Sequence, residues 1–392
     1  MKRRLAGQLA VWVLGAAVLR IAVVPPETCP AVDAAQVRTA IREAASWLER
    51  GLGQDGRYTY AYHMGRDEVS NDYSLTRHAG VVMALYQLAV AGDDSFVEAA
   101  DAGLGFALDN LIEHDGWVAF AEPGRNHSLG ASSLLVAALA QRRRATGDTS
   151  HDDLMRSLSR FLVVQQQSDG SMLASWSPFT GKPVPNDYSR FSTGEAFWAL
   201  GLMHDAFPDD GWDVPTLRVA DYLATRRDRA EGYVVRVPDH WAAHGLAELS
   251  SHVRLSEDHI TYARKLAGFF GVRIRMESQR TGRGVNLLVR WYPGTPSGVG
   301  TAGEGLGSLW RLSENDARLA DLRPNLAERI ACTSGMMVER QIGPGEAALA
   351  GRPHLARGAW FYRGYSQMDD QQHSISAMLL SLPAFEFLGS GS

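Results

Sequence analysis

Near the C-terminal end of the chain, Asp369 and Asp370 stand about one helical turn ahead of His373 in Gln367-Met368-Asp369-Asp370-Gln371-Gln372-His373. An imidazole beside a carboxylate is the equipment of general acid–base catalysis, in which one group gives a proton and the other takes one. Beyond Ser374 the stretch turns apolar or small (Ile375, Ala377, Met378, Leu379, Leu380), so polar chemistry is concentrated at one end of an element that otherwise reads as buried. The same design recurs upstream, at Asp72, Arg77 and His78, at His127, at Arg190 and Glu195, at Asp239 and His240, and at Glu304. Asp370, His373, His240, Glu304 and Asp369 are the candidates for proton transfer. Arg77, His78, Asp72, Arg190, Glu195 and Asp239 are candidates for substrate binding, joined by Trp291, Tyr292 and Trp360.

Each candidate also has a plainer role. Ser192-Thr193-Gly194-Glu195 and Thr301-Ala302-Gly303-Glu304 both fit a capping box, in which the glutamate bonds back to the start of its helix. Asp369 fits an N-cap, and His78 behind Arg77 fits a satisfied core histidine. Asp370 and His373 together are not explained by capping.

The elements that must position these residues follow from hydrophobic periodicity. Val37, Ile41, Ala44, Ala45 and Leu48 form one apolar stripe with Arg38, Arg42, Glu43 and Glu49 opposite, a one-sided outer helix. The next helix, over 75–91, is apolar around its whole circumference, which requires burial on every side. This pair repeats as 96–112 with 129–140, 154–166 with 193–203, and 214–226 with 240–249. It continues from His259 to 301–312, and from 326–339 to the helix at the C-terminal end. Inner helices that start about 45 to 65 residues apart, in six pairs, predict a closed ring of helical hairpins, an all-α (α/α)6 toroid over 33–390. Small residues such as Ala196, Ala199, Ala242, Ala243, Gly303, Gly305 and Gly307 allow the close approaches that such a ring needs. In an alternating ring all inner helices run the same way, so their N-termini share one face, locally positive, and the scattered candidates converge there. Aromatic residues of the connecting loops and Arg190, Arg236, Arg290 and Arg363 suit a polar ligand with apolar faces and an acidic group, such as a sugar or uronate.

A net charge of -5 over 392 residues, without long single-sign runs, excludes a nucleic-acid partner as the expectation. Residues 1–24 carry Lys2-Arg3-Arg4 before an apolar run and read as a signal peptide or membrane anchor, with 25–32 a linker. From Leu5 to Val24 the run is long enough to span a bilayer, and no small-x-small cleavage site follows, which favours an uncleaved anchor and an exported body. The two cysteines, Cys29 and Cys332, bridge if the body is exported and stay unpaired otherwise. There is no Walker loop, His-Glu-x-x-His or Gly-x-Ser-x-Gly motif. No cofactor is expected and no metal site is assigned.

With its helical pairs and charged inner-helix starts, the chain resembles the (α/α)6-toroid carbohydrate-active enzymes, which include glycoside hydrolases, uronate lyases and hydrolases, and sugar epimerases. The N-acylglucosamine 2-epimerase-like members use two histidines from the eighth and twelfth helices with an arginine and glutamates from other inner helices. His240, His373, Arg77 and Glu304 occupy similar helices here, and Ala243 stands one turn after His240 where that group carries a glutamate. The resemblance implies an exported enzyme acting on a saccharide by carboxylate and histidine acid–base catalysis, as a hydrolase, lyase or epimerase. The alternatives are a non-catalytic glycan-binding scaffold of the cell envelope and a terpene-cyclase-like toroid, which would need a dry, aromatic cavity.

Overall fold

The computed structural model describes residues 2–233 and 238–390; Arg236, expected among the rim arginines, lies outside the described residues. Helix α1 (Lys2–Val18) continues as a π-helical turn over Leu19–Val23. Within it, Arg4–Val23 forms a helix long and apolar enough to cross a membrane, with a mean hydropathy of 1.8 and no part of it buried.

The body alternates outer and inner helices. The first two pairs are α2 (Ala34–Arg50) with α3 (Leu75–Val90), and α4 (Val97–Asp109) with α5 (Leu129–Thr146). Next come α6 (Asp152–Gln165) with α7 (Ser192–Ala206), and α8 (Asp213–Thr225) with α9 (His240–Leu249). Outer α10 (Glu257–Ser278) is followed by the short α11 (Gly284–Arg290) and then inner α12 (Pro296–Asn315). The last pair is α13 (Arg323–Arg340) and α14 (Met368–Ser390). Amphipathicity sorts the two layers. Helix α2 starts in a capping box of Asp33 and Gln36 and buries one stripe, whereas α3 is buried from His78 to Tyr86 without a break.

Inner helices pack in the order α3, α5, α7, α9, α12, α14, and α14 returns to α3, closing the ring. The fold is therefore the (α/α)6 toroid. Close packing at the closure depends on glycine: a Cβ on Gly300 of α12 would lie 2.8 Å from the backbone of His373 in α14. That approach sets the two helices deep enough for their polar side chains to meet.

Short strands occupy the connections. β1 (Ala61–His63) lies between β2 (Glu68–Val69) and β8 (Tyr365–Gln367), so the first and last connections are stitched together. β3 (Leu111–His114) and β4 (Trp117–Phe120) form a hairpin around Asp115-Gly116, where Gly116 has φ 84°. This shortens the helix expected over 96–112, because Leu111 and Ile112 belong to the hairpin. β5 (His127–Ser128), β6 (Ser175–Ser177) and β7 (Lys182–Pro183) form the third small sheet. Cys29 and Cys332 are joined in a disulfide that ties the segment after α1 to α13.

Candidate active site

The inner-helix starts do share one face, and they surround a cavity of about 760 Å³. Its wall includes Arg77 from α3, Arg190 and Glu195 at α7, His240 and Trp241 from α9, Ser297 and Thr301 from α12, and Asp369, Gln372 and His373 from α14. The volume lies within the range of about 300–1,000 Å³ usual for ligand sites.

Beneath this wall Glu304 is completely buried and organises three histidines. Its Oε1 accepts Nδ1–H of His373 at 2.8 Å, its Oε2 accepts Nε2–H of His244 at 3.1 Å, and His240 Nε2 lies 3.9 Å from Oε2. A carboxylate only accepts, so the facing nitrogens of His373 and His244 carry the protons. Burial alone would raise the Glu304 carboxyl, but the charge and hydrogen bonds of the histidines outweigh it and hold it down at about 2. Burial would lower His373, yet the charges of Glu304 and Asp369 raise it to about 9, so it is an imidazolium at neutral pH. His240 goes the other way. Burial pushes it well below the ordinary histidine value despite Glu304, leaving a neutral ring, and neither of its nitrogens has a hydrogen-bond partner among the described residues. The rings of His240 and His373 are edge to face with centroids 5.1 Å apart. Two neighbouring imidazoles in opposite protonation states can take a proton from one place and deliver one to another.

Around this pair, Asp369 lies 3.6 Å from both His373 Nε2 and Arg77 Nε. Glu195 is raised to about 8 by burial and by the charge of Asp239, which makes it a neutral acid at pH 7. Gly130 makes room for it, since a Cβ there would fall 2.2 Å from Glu195 Oε2. Arg190 and Arg273 also line the cavity and have no ion-pair partner among the described residues. A cavity walled by three arginines is charged and polar, which is unlike the dry aromatic chamber of the terpene-cyclase alternative. His240, Glu304 and His373 are also close enough for their nitrogen and carboxylate atoms to converge on one cation.

Several expectations need correction. Glu304 is not a capping residue: α12 begins at Pro296 with Thr295 as N-cap, which places Glu304 more than two turns inside the helix. Glu195 is not one either, because α7 has Phe191 at its N-cap with no side-chain cap bond. The roles of the adjacent aspartates are reversed. Asp370 accepts the backbone N–H groups of Ser297 and Gln367, and so docks α14 on α12 as a structural residue. His78 is enclosed by Tyr73 and the carbonyl of Gly103, so it is a core histidine. Asp239 caps α9 and pairs with buried Arg227. Asp72 is exposed and bonded to Ser70, and His127 stacks on Trp176 beside His114. None of these four lines the cavity. Tyr292 and Trp360 line a separate cavity with Met336 and Phe361, and Trp291 projects outward at 59 % exposure.

Sequence reasoning missed His244, Trp241 and Arg273. His244 follows His240 by four residues and so shares its face, a spacing that was readable. Arg273 comes from an outer helix, where no inner-helix argument would look.

No protein-family model and no curated protein matches the chain. Among solved structures it is similar to the cellobiose 2-epimerase of Spirochaeta thermophila, at 14% identity and a TM-score of 0.62, over 90% of this chain and 98% of that one. It is also similar to an unsaturated glucuronyl hydrolase specific for heparin, at 11% identity and a TM-score of 0.61, covering 91% and 98%. A GH76 α-mannanase of Bacteroides thetaiotaomicron matches at 8% identity and a TM-score of 0.58, covering 90% and 97%. At these identities the likeness establishes a shared (α/α)6 toroid.

Proposed function

We propose that this (α/α)6 toroid is an exported, membrane-tethered enzyme that epimerises a saccharide by moving a carbon-bound proton between His240 and His373. The observation that carries this reading is the neutral His240, without a hydrogen-bond partner among the described residues, in edge-to-face contact with the protonated His373 at the wall of one cavity. A hydrogen on carbon beside a carbonyl, such as C2–H of an open-chain sugar, is acidic enough for a neutral imidazole to remove. The electron pair left behind delocalises onto the carbonyl oxygen, where Arg77 or Arg273 stabilises the charge. His373 then delivers its proton to the opposite face of the carbon; once the product has left, His240 gives its proton to water and His373 takes one up, which restores both rings. Glu304 remains an anion throughout and favours the protonated form of His373 before the transfer.

Support for a saccharide comes from the similarity to a cellobiose 2-epimerase, a glucuronyl hydrolase and a mannanase. Arg190 and Arg273, which have no ion-pair partner among the described residues, favour a substrate with a carboxylate, as a uronate has. Export is supported by the disulfide, which belongs to oxidising compartments, and by the apolar helix Arg4–Val23.

A second reading is hydrolysis, with protonated Glu195 as acid and Asp369 as base. The deciding experiment incubates the full chain with reducing and uronate-containing oligosaccharides in D₂O and in ¹⁸O-water. Deuterium on carbon without chain cleavage is expected. Cleavage with ¹⁸O uptake and no carbon-bound deuterium would replace epimerisation by hydrolysis, and binding with neither would leave a glycan-binding scaffold.

A further inference from the structure

Helix α11 stands outside the hairpin repeat and is turned the wrong way round for a soluble protein. Its one buried side chain is polar: Asn286 accepts the Thr281 N–H and donates to the carbonyl of Gln279. Its outer side is apolar. Val285, Leu288 and Val289 face solvent, Leu288 at 82 % exposure, and the exposed Trp291 and Tyr292 continue the patch. The asparagine bonds hold the helix with that side outward, so the exposure is built in.

Two observations say what covers it. First, the patch is continuous with the apolar N-terminal helix: α11 packs against residues 19–23, and Arg290 Nε donates to the carbonyl of Val23. The segment between helix and body is not a loose tether. Glu27 pairs with Arg275 and Arg329, Thr28 N–H bonds to the carbonyl of Ser278, and Cys29 is bridged to Cys332. Second, the fringe is cationic. From Gln279 to Gly303 the sequence has Arg280, Arg283 and Arg290 and no acidic residue; Arg280 pairs with Glu277 just before this stretch, which leaves Arg283 and Arg290 at the fringe. Arg20 bonds the carbonyl of Val24 at the end of the apolar helix, and Arg363 lies over the rings of Trp291 and Tyr292. Apolar residues with Trp and Tyr, ringed by arginine, match the interface of a bilayer with anionic headgroups.

The geometry points to a bilayer-docking surface: α11 with Trp291 and Tyr292 enters the headgroup region of the same membrane that Arg4–Val23 crosses. Thr295, Ser297 and Gly298, which follow the patch directly, line the catalytic cavity. The mouth of the ring is thereby held against the lipid surface, where it meets saccharides carried on the membrane. This inference rests on the reading of Arg4–Val23 as a membrane span and is independent of the reaction catalysed.

Both native cysteines are in the disulfide, so a single introduced cysteine is the one free thiol. The full chain, carrying Leu288→Cys, Trp12→Cys or Asp209→Cys with an environment-sensitive fluorophore, is reconstituted in vesicles of phosphatidylcholine with a minor fraction of phosphatidylglycerol. Doxyl-labelled lipid is expected to reduce emission at 288 and at 12 and to leave 209, on the far side of the ring, unchanged. A label at Val285→Cys should lose this quenching when Leu288→Asp and Val289→Asp are added. Equal emission at 288 and 209 would overturn the docking surface. Position 12 then separates the two ideas, since quenching there keeps the span while its absence removes both. A label at 288 shielded from lipid and from aqueous iodide alike, in a chain of doubled mass in detergent, would overturn the proposal in favour of a second copy on the patch.

Discussion

His373 donates its Nδ1–H to Glu304 across 2.8 Å, although 69 residues separate the two in the chain. Burial of both leaves the pair no solvent to share its charges with, so the ionisation of each depends on the other. Replacing Glu304 by Gln strips His373 of the charge that holds its proton, and its value should fall toward or below 6.5. Wild-type activity should decline as pH rises through about 9, and this limb should move down by more than one unit in Glu304→Gln, read from kcat/KM against pH.

The same pair makes stability depend on pH in two directions. His373 is raised from 6.5 to about 9, so its contribution is complete below 6.5 and lost as pH rises through 9. Glu304 is lowered from 4.5 to about 2, so its contribution is complete above 4.5 and lost as pH falls through 2. The pair should therefore stabilise most between these unfolded-state values, and Glu304→Gln should cost about 3 to 5 kcal/mol there by denaturant unfolding.

His240→Ala and His373→Ala should each slow carbon-bound proton exchange by about 10²–10⁴-fold. The melting temperature of His240→Ala should change far less than that of Glu304→Gln, whereas His373→Ala, which leaves Glu304 a buried anion without its imidazolium, should lose a comparable amount. Exchange in D₂O followed by proton NMR, beside thermal unfolding, checks both expectations.

Asp369 and Asp370 should respond differently to the same change. Asp370→Asn keeps one acceptor oxygen for two backbone N–H groups and should cost about 1 to 3 kcal/mol of stability while moving the pH profile less than Asp369→Asn does, since its charge acts more weakly on His373. Asp369→Asn removes a charge beside His373 and Arg77 and should alter the pH profile with little loss of stability. The two variants compared by urea unfolding and by rate profiles decide the assignment.

The disulfide closes 303 residues of sequence, so reduction or Cys29→Ser with Cys332→Ser should cost about 2 to 5 kcal/mol by denaturant unfolding. No residue of the cavity wall lies on the bridge, and kcat below the new melting point should be unchanged.

The ring was legible because its two layers have different surfaces: one stripe on α2, burial all round on α3. Helix order and the shared face of the inner starts follow from that alternation. Depth along a helix was not legible. The true start of α12 depends on Thr295 and Pro296, and a start placed at Thr301 turned Glu304 from a buried anchor into a cap. Which of two adjacent aspartates faces the cavity is a matter of about 100° of helix rotation, which only the packing of Ser297 against Asp370 decides. Arg273 reaches the cavity because α10 runs on for 22 residues, and a helix length is clearer than where its last turns lean.

Closure by the final helix has a consequence for how the protein is made. Synthesis delivers α14 after the other five inner helices of the ring, and with its 23 residues come Asp369, Gln372 and His373. Until they arrive, α3 and α12 have bare flanks and Glu304 lacks the imidazolium opposite it. A nascent chain short of this segment is an unsealed, sticky arc without chemistry, so assembly and competence are reached together, once α14 has emerged.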